Sequence, residues 1–68
     1  FSVENKNDLN KLVAQAFSQR RKTIRNSLSK LLPEAIIIEL GIDPNLRAEA
    51  LSLQNFTELS NRLTRLES

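Results

Sequence analysis

The apolar positions of the first half of the chain fall into two helical stripes that do not join. Leu9, Leu12, Val13, Ala16 and Phe17 recur at i, i+3, i+4, i+7 and i+8, one face of a helix. Asn7 suits an N-cap, and Asp8 follows in the first turn, where a carboxylate complements the positive end of the helix dipole. The stripe does not continue through "QRRK", which predicts a break or kink at Ser18 or Gln19. A second stripe, Ile24, Leu28, Leu31 and Leu32, predicts another helix, with Lys22, Arg25 and Ser29 along one flank and Pro33 at its end.

"PEAIIIELG" is the one ambiguous segment. Three successive isoleucines favour a strand, but no other segment offers a partner strand. A helix is predicted because Pro33 suits the first helical position, Glu34 the first turn, and Gly41 the left-handed residue past the last turn. Ile42 would then fold back onto Ile37, and the isoleucine run would lie in the core. Asp43 is expected to cap a short helix starting at Pro44. Ser52 is expected to cap the last helix, with Leu51 stapled to Phe56 and Leu53, Phe56, Leu59, Leu63 and Leu66 forming its buried face. The expectation is an all-α fold: a small orthogonal bundle of four to five short helices in a single domain, residues 1–68.

Composition narrows the chemistry. The 68 residues contain no cysteine and no histidine, so neither a disulfide framework nor the usual zinc and nucleophile–base arrangements can be assembled. The single glycine, Gly41, rules out a Gly-rich phosphate loop. The longest apolar run, residues 35–38, is far short of the ~20 residues that span a bilayer. The carboxylates stand at helix starts and polar positions, where they cap and solubilise. No catalytic, cofactor or metal site is expected in these residues. A start at Phe1 and the lack of any methionine predict a segment of a longer gene product.

Charge changes the picture more. The net charge is only +2, yet residues 1–32 carry seven cationic side chains against two carboxylates, and residues 33–68 carry three against six. Such asymmetry fits one face that meets a polyanion. The cations concentrate in "FSQRRKTIRNSL", residues 17–28, as Arg20, Arg21, Lys22 and Arg25. Guanidinium groups make forked hydrogen bonds to phosphate, and a helix starting near Gln19 or Arg20 would add N–H donors and a positive dipole end. Gln19, Thr23 and Asn26 would supply neutral hydrogen bonds. The plain alternative is a solvated helix face. Phe17 and Phe56 read as buried, which argues against base stacking and for backbone-directed, shape-reading RNA contact. Arg47 and Glu49 read as a local ion pair or a helix-anchoring hydrogen bond, and Arg62 and Arg65 as cations suited to the end of the last helix.

"AFSQRRKTIRNSL" (16–28), followed by "LGIDPNLRAEALSLQNFTELSNRL" (40–63), resembles the C-terminal domain of the bacterial small-subunit (16S) rRNA adenine N6,N6-dimethyltransferase family. The residues that carry the resemblance are Phe17, Gln19 to Thr23, Arg25, Asn26 and Leu28, then Gly41 to Asp43, Arg47 to Glu49, Leu51, Ser52 and Phe56. The resemblance weakens before Asp8 and across "SKLLPEAIIIE". It implies a cytoplasmic enzyme that uses S-adenosylmethionine to dimethylate two adjacent adenines near the 3′ end of small-subunit rRNA. The chemistry would sit in an N-terminal Rossmann-like domain with a Gly-rich cofactor loop and an Asn/Asp-Leu/Ile-Pro-Tyr/Phe motif. Neither motif occurs here, so this piece would carry no cofactor of its own. Its implied partners are 16S rRNA in the immature small subunit and its own catalytic domain, with no membrane. RNA contact is expected from Gln19, Arg20, Arg21, Lys22, Thr23, Arg25 and Asn26. Two other readings compete: a basic cluster packed on the catalytic domain, and a free-standing basic helical module that binds nucleic acid.

Overall fold

The break at Ser18 shapes the whole chain, because it frees the residues after it to turn back across the first helix. The computed structural model describes residues 2–67; Phe1 and Ser68, the ends of the expected 1–68 domain, lie outside them. The elements run α1 (Lys6–Ser18), α2 (Ile24–Ser27), α3 (Glu34–Glu39), a 3-10 helix (Ala48–Ala50) and α4 (Leu53–Glu67). Among the described residues there is no strand, only an isolated antiparallel bridge between Thr23 and Arg47. The all-α bundle is therefore as expected.

α1 is capped by Asn5, not Asn7: the Asn5 side chain accepts from the Asn7 and Asp8 backbone N–H groups at 2.9 and 3.2 Å. Asn5 is extended, as a cap must be, whereas Asn7 is already helical. Two residues with the same side chain compete for the cap, and spacing alone did not separate them. α1 packs most extensively on α4, with further contacts to the 3-10 helix and α2.

The helix expected across residues 24–32 is a single α-turn followed by tighter turns, with Leu31 and Leu32 both donating backbone N–H to Leu28. Leu28 and Leu32 stay buried, so the stripe survives without the helix. Pro33 is the N-cap of α3, one position before the place expected for it. The end of α3 follows prediction closely. Gly41 has φ +79°, its N–H bonds to Ile38, and the Ile42 N–H bonds to Ile37 at 3.1 Å, the double hydrogen bond of a left-handed helix stop. Ile36, Ile37 and Ile42 are buried, but Ile38 is 56% exposed, because a helix turns the third isoleucine away from the face the other two share.

No helix begins at Pro44. Asp43 instead closes a turn, its carboxylate accepting from the Asn45 N–H at 2.9 Å. The helical residues come later, where Arg47 anchors the 3-10 helix through a backbone bond from Ala50 at 2.9 Å. Among the described residues Arg47 and Glu49 form no ion pair, so only the anchoring alternative holds, and it runs through the backbone. Ser52 caps α4 as predicted, its hydroxyl accepting from the Asn55 N–H, and Leu51 packs on the core that contains Phe56.

The buried face of α4 is Phe56, Thr57, Leu59, Ser60 and Leu63, whereas Leu53 and Leu66 are exposed. Thr57 and Ser60 bond back to the carbonyls of Leu53 and Thr57, so these buried side chains carry no unpaired hydroxyls. Beside them Thr64 donates to the Asp8 carboxylate at 2.7 Å. That bond, then a hydrogen bond with Glu67, holds Asp8 below its ordinary 3.8; burial opposes the shift and the Lys11 charge assists it. A lowered folded-state value stabilises the fold above the unfolded-state value, and the gain is lost as pH falls through the lower one. Urea midpoints should therefore drop as pH falls below about 4. Asp8→Asn should flatten that decline, and an unchanged acid limb would count against the role of Asp8.

Candidate nucleic-acid interface

The residues of the basic cluster do not share one helix. Gln19 is the half-buried C-cap of α1, and Arg20, Arg21 and Lys22 form the exposed turn that leads to α2. The turn is tight, with the Lys22 N–H bonded to the Gln19 carbonyl at 2.9 Å. These three cations form no ion pair with any described residue.

The expected helix start at Gln19 or Arg20 is absent. The cations instead follow the C-terminus of α1, where the dipole is negative and no cation stands within the last turn itself. Here the dipole attracts the protein's own cations and adds nothing for an anion. The true helix start, at Ile24, offers no donors either. The Ile24 N–H is taken by the Leu46 carbonyl at 2.7 Å, and the Arg25 N–H by the Pro44 carbonyl at 3.1 Å. The Asn26 and Ser27 N–H groups bond to Thr23. Phosphate recognition in this segment must therefore run through side chains.

Arg25 is set apart from the other three. Its guanidinium bonds the Asn45 side chain and lies 3.5 Å from the Glu34 carboxylate, so it ties α2 to the 43–46 turn and to α3. Thr23 is the N-cap of α2, but its hydroxyl oxygen is buried and finds no hydrogen-bond partner among the described residues. Asn26 is exposed, with its carbonyl accepting from the Ser29 hydroxyl and N–H. The Thr23–Arg47 bridge sets Arg47 beside the cluster, a neighbour 24 positions away that local spacing could not indicate.

Phe17 departs most from its expected place. The periodicity predicts a core position, but Phe17 is 43% exposed on the last turn of α1, past the point where the stripe is covered. Its ring rests on Phe56 at 6.0 Å between centroids, with a 32° tilt, so one side is supported while the rest faces solvent. With Ser18, Gln19, Arg20, Arg21 and Lys22 it lines a depression of about 480 Å³.

Away from this turn four of the seven cations form ion pairs, Arg25 among them, whereas Lys6, Lys30 and Arg47 form none among the described residues. Lys11 pairs with Glu67, Arg62 with Glu39 and Arg65 with Glu4, at 3.0–3.2 Å. Among the described residues no group of three or more acidic side chains is arranged to hold a metal, and no helix is long and apolar enough to cross a membrane.

No family model matches the chain. Individual relatives do. The ribosomal RNA small subunit methyltransferase A proteins of Yersinia pestis (strain Pestoides F) and Yersinia pseudotuberculosis serotype O:1b (strain IP 31758) are each 52% identical to it over 56 residues. The match covers 82% of this chain and 21% of each relative, so the chain spans about a fifth of the length of the curated relatives it matches. The chain's similarity, 52% identity over 82% of its length, is to the C-terminal region of the ribosomal RNA small subunit methyltransferase A family and is consistent with a C-terminal domain of that family.

Proposed function

We propose that this chain is the C-terminal rRNA-docking domain of an S-adenosylmethionine-dependent 16S rRNA adenine dimethyltransferase. In that reading the cofactor and the catalytic residues belong to an N-terminal domain. The full-length enzyme dimethylates two adjacent adenines near the 3′ end of small-subunit rRNA in the cytoplasm. The observation that carries the docking role is the exposed turn Arg20–Arg21–Lys22, three consecutive cations with no carboxylate partner among the described residues, whereas four of the other seven cations are paired. Arginine forks on a tight turn suit phosphate oxygens on a folded RNA surface. In this reading Gln19 and Asn26 add neutral hydrogen bonds beside the turn. Arg25 contributes by holding α2 in register with the 43–46 turn and reaches RNA only at the cost of its bonds to Asn45 and Glu34.

The test is the salt dependence of binding to a fragment of small-subunit rRNA. Each phosphate contact adds about 0.7–0.9 to the log–log slope, so three contacts predict a slope of roughly −2 to −3. Arg21→Ala should reduce its magnitude by nearly one unit, and Arg25→Ala by less, since Glu34 already faces that guanidinium. A slope near zero, or one unmoved by Arg21→Ala, overturns the docking role.

A further inference from the structure

The depression at the end of α1 joins two features that RNA contact through phosphates alone does not need. Its lining brings together Phe17, whose ring contacts Phe56, and the run of unpaired cations from Arg20 to Lys22. Its volume of about 480 Å³ falls within the ~300–1,000 Å³ that small-ligand sites occupy. Among the described residues Phe17 is the only exposed aromatic side chain. An exposed aromatic face beside a positive track is the arrangement that binds unpaired bases, because every base offers a π-face and every linkage a charge. A regular RNA helix cannot use it, since its bases are stacked on one another and their faces are hidden.

We propose that this depression holds one unstacked nucleotide of single-stranded RNA, its base lying on the Phe17 ring and its flanking phosphates on Arg20, Arg21 and Lys22. Gln19, half-buried in the lining, offers its amide to the base edge. The inference rests on the rRNA-docking reading and adds to it the strand state and a base contact. The Phe56 contact limits the ring's freedom before binding, so less side-chain freedom is lost on contact.

The test uses the full 68-residue chain, its fold checked by circular dichroism, with a short single-stranded RNA carrying 2-aminopurine and the same sequence closed into a duplex. Phe17→Leu keeps an apolar side chain against Phe56 but removes the π-face. It should weaken single-strand binding at least about fivefold and abolish the rise in 2-aminopurine fluorescence that accompanies unstacking of the bound base, while leaving the salt slope unchanged. Phe17→Tyr should restore both. Single-strand binding and the 2-aminopurine fluorescence rise unchanged by Phe17→Leu, in a chain whose salt slope still responds to Arg21→Ala, would overturn the stacked nucleotide and leave the docking role standing. Duplex bound as well as single strand would overturn it too. If neither Phe17→Leu nor Arg21→Ala altered binding, both readings would fall, and the turn would be a surface for a protein partner.

Discussion

Leu59→Ala should lower the unfolding free energy of this chain by about 2–5 kcal/mol, the usual range for truncating a fully buried leucine. Leu59 is fully buried at the middle of the α4 face and belongs to the single cluster that also holds Leu12, Ala16, Ile37 and Leu63. A domain of 68 residues has roughly 3–10 kcal/mol of stability in total, so one such change consumes a large part of it. A chain this short buries only about 60% of its unfolded surface and has no second core to fall back on. The matched comparison is Leu66→Ala on the same helix. Leu66 is 54% exposed, so its truncation should stay within about 0.5 kcal/mol. Urea unfolding followed by circular dichroism reads both. Equal losses for the two variants would mean that α4 does not bury the face described here.

The contrast between Leu59 and Leu66 also marks how far the sequence can be read. Both sit on one apolar stripe, and periodicity assigns them the same role. What separates them is where α1 ends on α4, a tertiary fact that no local pattern contains. Phe17 is the same case at the other end: the stripe of α1 runs one residue past its cover. Features set within five or six residues were legible, such as the left-handed stop at Gly41 and the Ser52 cap. Residues 24–32 were not, because their apolar spacing satisfies a helix while backbone bonds from Ile24 and Arg25 to Leu46 and Pro44 fix α2 from outside. Those same long-range bonds remove the free helix start that the basic cluster was expected to exploit. The cluster itself was visible as charge. That Arg25 is engaged, and that Arg20, Arg21 and Lys22 are not, depends on Asn45 and Glu34, which lie 20 and 9 positions away.

Replacing Arg20, Arg21 and Lys22 together with alanine should weaken binding to a small-subunit rRNA fragment by roughly 100-fold at 0.1 M salt, and should flatten the log–log salt slope by about 2–3 units. Each of three released counterions adds about 0.7–0.9 to the slope and so nearly one decade of affinity at that salt concentration. Stability should change little. The three side chains are exposed and form no ion pair among the described residues, so their main structural role is to face the negative end of α1, worth about 1 kcal/mol or less. Net charge alone would predict the same loss from any three cations, which makes the control decisive. Lys6 and Lys11 lie in the first half of α1, where Lys11 pairs with Glu67, and Arg65 pairs with Glu4 just before that helix. Changing these three to glutamine removes the same formal charge from the other end of the helix. If binding is localised at the turn, the control retains most of its affinity and slope, because two of its three cations were already neutralised by carboxylates. Equal losses from the two triple variants would mean that RNA senses only the overall field of the chain, and the turn after α1 would have no special part in docking.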